Sequence, residues 1–336
     1  MTNGPLAAVV LAAGEGTRMK SVLPKVAHRL AGLPLVNHVL EAVIPLNPMV
    51  MVVVVGLKDK SVSKLVAGRA RRVEQKRRLG TAHALLQARG ELKGFEGSLL
   101  VLCGDAPLIT PAALGRLVEY HRRRSATGTI LSARLDDPGG YGRIIRSADG
   151  RVKKIVEETE ARPAEKAVKE INSGAYCFRC PELWRFIDRV RDDNRKKEYY
   201  LTDVIQEMVQ ASCSVEAYAL EDGREILGIN TRRQLAAAER ILQERIADFH
   251  QDNGVTLVRP ETVYIETGVE IGVDTVIEPF VVIRRRARIG EHCRIGPFVH
   301  LEEGVVVPSG VSLGGERTLL GGVSPAVKKR TKNDKP

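Results

Sequence analysis

Short apolar runs alternate with amphipathic stretches along about the first 230 residues of the chain. Four runs have the length and composition of buried strands, and they lie at residues 6–11, 49–55, 98–102 and 128–135. The stretches between them repeat apolar residues at helical spacing, and they lie at residues 33–46, 58–68, 81–89 and 111–123. This alternation predicts an α/β fold with a doubly wound, mostly parallel sheet over residues 1–231.

The pattern changes after residue 231. Residues 232–252 place apolar side chains on one helical face and contain neither Gly nor Pro, which predicts a linker helix. Over residues 253–322, apolar residues recur at sixfold spacing beside glycines, which predicts a short parallel β-helix of about four coils of ~18 residues. We expect this β-helix to be left-handed. Residues 323–336 are polar and basic, and we expect a disordered tail.

Composition excludes several classes of protein. The chain has 336 residues, of which 43% are hydrophobic, and no apolar run approaches the ~20 residues of a membrane span. The N-terminal residues lack the basic segment of a signal peptide, so we expect a cytoplasmic protein without membrane association. Five cysteines at irregular spacing do not form a disulfide framework. The pair Cys177-x-x-Cys180 has no second pair with which to complete a zinc site.

The net charge of +11 raises the question of nucleic-acid binding. The basic residues are spread over several runs, and aromatic residues make up only 4% of the chain and do not alternate with those runs. Stacking surfaces for bases are therefore not expected, and the pattern argues against specific nucleic-acid binding. Some of the positive charge is available to attract anionic substrates.

A glycine-rich turn follows the first predicted strand and contains Gly14, Gly16 and Arg18, with Lys25 further on. Glycines allow a close approach of backbone N–H groups to an anion, and the two cations add fixed positive charge. The third glycine of the dinucleotide fingerprint is absent, since Met19 occupies its position, and no Gly-Lys-Ser/Thr of a P-loop follows. The turn therefore predicts a polyphosphate loop of another type, although the glycines alone also fit a simple tight turn.

The segment Gly14-x-Gly16-Thr17-Arg18 with Pro24-Lys25 resembles the signature loop of sugar-nucleotidyltransferases. Residues 11–38 resemble the uridyltransferase half of the GlmU family, and similar motifs follow in the same order over about residues 6–250. The resemblance implies a Rossmann-like nucleotidyltransferase fold. It also implies transfer of a uridylyl group from UTP to N-acetylglucosamine 1-phosphate, giving UDP-N-acetylglucosamine and pyrophosphate, with Mg²⁺ as cofactor.

The same resemblance implies roles for individual residues. Arg18 and Lys25 would be catalytic, whereas Asp105 and Asn230 would bind Mg²⁺. The nucleotide would contact Leu11, Ala13, Gly14, Gly16, Lys25, Gln75, Gly80 and Thr81. The sugar would contact Gly142, Glu157, Asn172 and Tyr200.

Several of these residues have simpler interpretations when each is taken alone. Asp105 could be a turn-forming residue after a strand, Gln75 a solvated loop amide and Glu157 a surface carboxylate. Residues 139–143 have the composition of a flexible turn, and Thr81 is placed to cap the helix that follows it. The chemistry nevertheless fits the set, because the attacking sugar phosphate is already an anion and needs no general base. Such a site requires only cations, metal-binding carboxylates and polar groups for positioning.

The chain departs from the family pattern at Cys103, where relatives commonly have an aromatic residue, and at Arg77 and Arg78. These departures leave open a nucleotidyltransferase for another sugar phosphate or nucleotide. Two further alternatives are a non-catalytic regulator that binds sugar nucleotides and an acyltransferase working through the β-helix. The predicted β-helix is too short for a second activity. The coils that would carry acetyltransferase residues are not present in these 336 residues, so we expect no acetyltransferase activity. The family's β-helices form trimers, which makes a homotrimer the oligomer to test.

Overall fold

The computed structural model describes residues 4–57, 59–194, 197–315 and 317–319. The chain divides into two compact units, Met1–His28 with Pro34–Gln234 and Arg29–Leu33 with Leu235–Pro336. The domain limits predicted at residues 231, 252 and 322 stay a prediction. The basic tail predicted at 323–336 lies outside the described residues.

Eleven strands precede residue 235 in the described ranges. They are β1 (Leu6–Ala12), β2 (Arg29–Leu30), β3 (Leu33–Pro34), β4 (Val50–Gly56), β5 (Arg71–Gln75), β6 (Ser98–Cys103), β7 (Gly128–Arg134), β8 (Gly142–Arg146), β9 (Val152–Val156), β10 (Glu170–Arg179) and β11 (Val215–Leu220). The four strands predicted from apolar runs are confirmed as β1, β4, β6 and β7.

The helices are α1 (Leu35–Val43), α2 (Lys60–Val66), α3 (Thr81–Gln87), α4 (Pro111–Arg123), α5 (Pro163–Lys166), α6 (Cys180–Ile187), α7 (Leu201–Gln210) and α8 (Arg232–Asp252). Helix α4 shows how the sequence sets a helix start. The Thr110 hydroxyl accepts a hydrogen bond from the Ala113 N–H at 3.1 Å, and Pro111 occupies the first turn, where no N–H is needed. Helix α8 covers the residues over which the sequence predicts a linker helix.

The main sheet has the strand order β11-β7-β10-β6-β1-β4-β5, with β8 and β9 attached beside β10. Strands β6, β1, β4 and β5 are mutually parallel, whereas β10 runs antiparallel to β6 and β7. The sheet is therefore mixed to a greater extent than predicted. The carboxyl ends of the four parallel strands lie side by side at one edge, which is where ligands bind in open α/β sheets.

Alternate residues of the central strand β1 contribute to two separate hydrophobic cores. Ala8 and Val10 pack with α1, α2 and α4 on one face, whereas Ala7 and Val9 pack with α3, α6 and α7 on the other. Because every residue of β1 is apolar from Leu6 to Ala12, both faces can be covered by helices. The doubly wound arrangement predicted from the sequence is confirmed.

Strands β5 and β10 are two of the strands that the sequence does not predict, and the physical reasons differ. Strand β5 lies at the edge of the sheet and begins with the exposed Arg71 and Arg72, so it lacks an apolar run. Strand β10 is interrupted by Asn172-Ser173-Gly174, where its register with β7 shifts. The bulge is stabilised locally, because the Gly174 N–H donates to Asn172 Oδ1 at 3.1 Å and the Ala175 N–H donates to Ser173 Oγ at 3.0 Å.

The second unit contains short parallel strands in three sheets. They are β12 (Thr256–Leu257), β13 (Tyr264–Ile265), β14 (Glu270–Ile271), β15 (Val276–Ile277), β16 (Val282–Ile283), β17 (Arg288–Ile289), β18 (Arg294–Ile295), β19 (Val299–Leu301), β20 (Val306–Val307), β21 (Ser312–Leu313) and β22 (Arg317–Leu319). Each strand pairs with the next coil, so that Ile265 lies beside Ile283 and Ile283 beside Leu301, 18 residues apart each time. Because these apolar side chains stack into one core, the unit has the parallel, coiled arrangement expected of a short β-helix.

All five cysteines are free thiols. Within the described ranges, no helix is both long and apolar enough to cross a membrane.

Candidate active site

The signature loop leaves β1 and returns on itself through a short 3-10 turn at Thr17–Met19. Gly16 adopts a left-handed conformation with φ 66°, and a Cβ at this position would lie 2.4 Å from Lys25 Cβ. Met19 anchors the turn because its side chain is only 1% exposed. The glycine therefore permits a close approach that brings the first part of the loop against Lys25.

Substitution Gly16→Ala is expected to lower the free energy of unfolding by about 1–2 kcal/mol, because alanine is strained at this φ and its Cβ would collide with Lys25. Gly14→Ala is the matched control, since a Cβ at Gly14 meets no atom within 4 Å and its φ is not left-handed. Urea denaturation of both variants measures the difference. Equal stability of the two variants would contradict the assignment of strain to Gly16.

Lys25 is the centre of a small polar cluster. Its ammonium group forms a short ion pair with Asp105 Oδ2 and donates to Asn230 Oδ1 at 2.9 Å. Arg18 donates to the same Asn230 oxygen at 2.9 Å. The Ile229 N–H donates to the Asp105 carbonyl at 2.8 Å, which fixes the turn that carries Asn230. Both residues predicted as catalytic and both predicted metal ligands thus meet at one point.

A cleft of about 600 Å³ opens beside this cluster at the carboxyl edge of the sheet. Eleven residues predicted to belong to the site lie in its wall: Leu11, Ala13, Gly14, Gly16, Lys25, Gln75, Gly80, Thr81, Asp105, Glu157 and Tyr200. Arg18 and Asn230 are connected to it through Lys25. Gly142 and Asn172 are not among the residues that line it, but they pair with each other across β8 and β10.

Gln75 and Gly80 form the wall predicted to hold the nucleotide. The Gln75 side chain is 3% exposed, and its Nε2 donates to the Gly80 carbonyl at 3.1 Å and lies 2.9 Å from His83 Nδ1. A Cβ at Gly80 would lie 2.4 Å from the carbonyl oxygen of Tyr199, so only glycine fits against this neighbouring backbone. Gln75 is therefore not a solvated loop amide, and the simpler interpretation of this residue is wrong.

The expected capping role of Thr81 is also wrong. Helix α3 begins at Thr81, and the residue at its N-cap is Gly80, which provides no side-chain cap. The Thr81 hydroxyl instead accepts a hydrogen bond from the Leu201 N–H at 2.9 Å, at the start of α7. Thr81 therefore connects the nucleotide wall to the segment that carries Tyr200.

Of the four residues predicted for the sugar, Glu157 and Tyr200 line the cleft, whereas Gly142 and Asn172 do not. The Thr202 hydroxyl donates to Glu157 Oε1 at 3.2 Å, and Asn172 Nδ2 donates to the Tyr176 hydroxyl at 2.7 Å. Tyr200 is 8% exposed, and its hydroxyl is buried and has no hydrogen-bond partner among the described residues. An unpaired buried hydroxyl at a cleft wall is costly unless a ligand or water satisfies it.

The turn predicted at residues 139–143 is present at Gly139 and Gly140, whereas its last two residues belong to a strand. Strand β8 starts at Gly142, and Arg143 is 2% exposed and forms an ion pair with Glu158 at 2.8 Å. A buried, ion-paired arginine fixes the end of this segment, so the prediction of a flexible turn does not extend to Arg143.

Two groups near the cleft have strongly shifted pKa values. Burial and the nearby Asp105 raise the pKa of the Cys103 thiol to about 12, so the thiol is neutral at pH 7. Burial, with the charges of Glu157 and Asp193, raises the pKa of Asp203 to about 6. Below about pH 6, Asp203 is therefore largely protonated and neutral.

The raised pKa of Asp203 gives a pH-dependent stability effect. Between about pH 4 and pH 6 the folded state binds more protons at this residue than the unfolded state, so its contribution to stability is lost as pH rises. Asp203→Asn should therefore increase the free energy of unfolding by about 1–2 kcal/mol near pH 8, with a smaller gain near pH 4.5. Urea denaturation at both pH values tests this. A gain that is the same at both pH values would contradict it.

The sequence assigns no role to Arg78, yet this residue lines the same cleft. Its Nε donates to the Ala13 carbonyl at 2.8 Å, and a terminal nitrogen forms a short ion pair with Glu15. The only sequence signal was its position three residues after Gln75.

The oxygen atoms of Asp105 and Asn230 are of the type that Mg²⁺ prefers. Both oxygens contact the Lys25 ammonium group, so they converge on one point, which we call the metal-binding corner. The described residues contain no group of three or more His, Cys, Asp or Glu side chains arranged to hold a metal by themselves. The corner fits a metal that takes its remaining ligands from a substrate.

A family model described as nucleotidyl transferase matches residues 7–242, which is more than half of the chain. The chain belongs to the nucleotidyl transferase family. The family resemblance drawn from Gly14 to Lys25 is thereby confirmed.

Among curated proteins, this nucleotidyl transferase is similar to proteins named bifunctional protein GlmU. The one from Listeria monocytogenes serotype 4a (strain HCC23) is 47% identical over 286 residues, which cover 85% of this chain and 63% of that protein. The one from Pelotomaculum thermopropionicum is 47% identical over 308 residues, which cover 92% of this chain and 67% of that protein. The chain thus spans about two thirds of the length of these relatives.

Among solved structures, the family member is similar to UDP-glucose pyrophosphorylase complexed with UDP-glucose. The TM-score is 0.58 at 17% identity, and the match covers 72% of this chain and 99% of that one. At this identity the likeness concerns the fold, and it supports the Rossmann-like nucleotidyltransferase sheet.

Proposed function

We propose that the protein transfers a uridylyl group from UTP to N-acetylglucosamine 1-phosphate, releasing pyrophosphate and UDP-N-acetylglucosamine. The observation that carries the proposal is the position of Lys25 between Asp105 and Asn230, at the end of a cleft lined by the signature loop. The naming of its relatives as GlmU supports the choice of nucleotide and sugar.

The reaction requires positioning and charge neutralisation rather than acid–base catalysis. An oxygen of the sugar 1-phosphate attacks the α-phosphorus of UTP, a new P–O bond forms, and the bond from the α-phosphorus to the bridging oxygen of pyrophosphate breaks. The nucleophile is already an anion, so no proton has to be removed. Arg18 and Lys25 would neutralise the charge of the transferring group and of the departing pyrophosphate.

Mg²⁺ would be held by the Asp105 carboxylate and the Asn230 amide oxygen. When bound, it would neutralise phosphate charge and orient the phosphate oxygens. Lys25 contacts both of these oxygen ligands, so its ammonium group would remain beside the metal-binding corner and contact substrate from there.

The nucleotide would lie along Leu11, Ala13 and the two loop glycines, with its base against Gln75, Gly80 and Thr81. Glu157, Asn172, Gly142 and Tyr200 would form the sugar subsite at the other end. The buried and unpaired Tyr200 hydroxyl supports this assignment, because a sugar hydroxyl or an N-acetyl oxygen could satisfy it. The free thiols of all five cysteines are compatible with a reducing cytoplasm.

We further propose that the β-helix is left-handed and that it assembles three chains into a homotrimer. The 18-residue coil repeat supports a solenoid with flat faces suited to self-association. Light scattering during gel filtration measures the mass in solution. A monomeric mass across micromolar concentrations would exclude the trimer.

Pyrophosphate release tests the enzymatic proposal across a panel of nucleoside triphosphates and sugar 1-phosphates with Mg²⁺. We expect the highest kcat/KM with UTP and N-acetylglucosamine 1-phosphate, and loss of activity on chelation of the metal. No turnover with any pair would exclude the enzyme. Faster turnover with glucose 1-phosphate would leave the reaction class standing and exclude the proposed sugar.

A further inference from the structure

Three adjacent parallel strands end next to one another at the cleft. Ala13 follows β1, Gly56 ends β4 and Gln75 ends β5, and these strands are neighbours in the order β1-β4-β5. Arg78 starts from the loop after β5, yet it reaches Ala13 on the far side of β4. Its side chain therefore crosses the carboxyl edge of the sheet over Gly56.

Gly56 leaves room for this crossing. A Cβ at position 56 would lie 2.9 Å from a terminal nitrogen of Arg78, which is closer than real Cβ atoms come to their neighbours. The φ of Gly56 is not left-handed, so the backbone itself does not require glycine there. The missing side chain thus serves the passage of the guanidinium group rather than a turn.

The contact with Ala13 controls the direction of a peptide in the signature loop. The peptide bond between Ala13 and Gly14 is planar, so its carbonyl and the N–H of Gly14 point in opposite directions. The charged donor of Arg78 holds the Ala13 carbonyl at 2.8 Å, and it thereby also fixes where the Gly14 N–H points. The ion pair with Glu15 adds a second attachment to the same loop.

We propose that Arg78 is a positioning residue, which holds residues 13–16 of the signature loop in the conformation that binds the nucleotide. This inference rests on the proposed function for the identity of the nucleotide. Arg78 acts by ordering the loop before UTP arrives, so that less conformational entropy is lost on binding. Gly56 contributes by leaving space for the Arg78 guanidinium group.

Two measurements on Arg78→Met test the proposal. Calorimetry with Mg²⁺ and UTP should show a Kd raised about 10-fold, the size expected for one lost charge-assisted hydrogen bond. The KM for the sugar phosphate should change less than about twofold. Hydrogen exchange of the backbone amides of residues 13–16 in the free protein should become about 10-fold faster, because Arg78 contacts the loop before any ligand binds.

The matched control is Arg77→Met, which removes the same charge from an exposed neighbour. It should leave both the Kd and the exchange rates within about twofold of the parent values. If both variants raise the Kd equally, Arg78 contributes only general electrostatic attraction, and the proposal is overturned. Weaker UTP binding by Arg78→Met without faster exchange would identify a direct phosphate contact instead, and would also overturn it.

Gly56→Ala provides an independent route, since its Cβ displaces the guanidinium group while Arg78 remains present. We expect a rise in Kd that does not exceed that of Arg78→Met, and the double variant should bind UTP no more weakly than Arg78→Met alone. Additive losses would show that the two residues do not act together. Because binding and exchange are measured without turnover, an inactive parent protein that still binds UTP would contradict the proposed function and leave this inference testable.

Discussion

Replacing Lys25 with methionine is expected to lower kcat/KM by about 10³-fold or more, because one ammonium group faces both the Asp105 carboxylate and the Asn230 amide. Methionine keeps most of the length and apolar volume of the lysine side chain, so the main loss is the charge. Most of the decrease should appear in kcat, since the charge that builds up on the transferring phosphoryl group is greatest in the transition state. Steady-state kinetics with UTP and N-acetylglucosamine 1-phosphate measure it.

Lys20→Met is the control for this experiment, because Lys20 is an exposed lysine of the same loop. Its removal should change kcat/KM by less than about threefold. The Lys25 side chain is 13% exposed and its partner Asp105 is 20% exposed, so the lost ion pair should cost about 1–2 kcal/mol of stability. If folded Lys25→Met keeps activity within tenfold of the parent, Lys25 is not the central cation that the geometry indicates.

The sequence was sufficient for the parts of the site that depend on local strand ends. The apolar runs of β1 and β6 fix where the strands stop, and Gly14 and Asp105 follow those ends directly. Since parallel strands place their carboxyl ends at one edge, the two segments were expected to meet. The convergence of Lys25 with Asn230 followed from the resemblance alone, because no local pattern connects two residues that are 205 positions apart.

The errors share a physical cause, which is that the deciding contacts are distant in sequence. Thr81 is placed to cap α3, but its hydroxyl instead accepts a hydrogen bond from the N–H of Leu201, 120 residues later. Strand β10 was missed because the polar Asn172-Ser173-Gly174 interrupts its apolar pattern. The bulge there has a distant contact besides its local ones, since Ser173 donates to the Leu131 carbonyl at 2.7 Å. Tertiary partners of this kind override local propensity.

Arg78 illustrates a further kind of contact that sequence reasoning does not find. Its role depends on the absence of a side chain at Gly56 and on a carbonyl 65 residues away. Neither the glycine nor the arginine follows a recognisable motif. Only the strand order, with β4 between β1 and β5, shows why the two belong together.

Asp105→Asn should likewise lower kcat/KM by about 10³-fold while leaving the melting temperature within a few degrees of the parent value. Asparagine has the same shape, and the backbone bond from the Ile229 N–H to the carbonyl of residue 105 is retained, so the turn carrying Asn230 stays in place. What is lost is the negative charge that a divalent cation requires. The Mg²⁺ concentration for half-maximal activity should therefore rise at least tenfold.

A readout without turnover separates the metal-binding role of Asp105 from a structural one. Calorimetry of UTP binding should show that Mg²⁺ strengthens binding to the parent protein and has a smaller effect on Asp105→Asn. Asp136→Asn, at a fully exposed carboxylate, should match the parent in both properties. A large loss of stability with an unchanged response to Mg²⁺ would assign Asp105 to the turn. The Lys25 ammonium group would then face a structural carboxylate, and the metal would have to be placed elsewhere in the cleft.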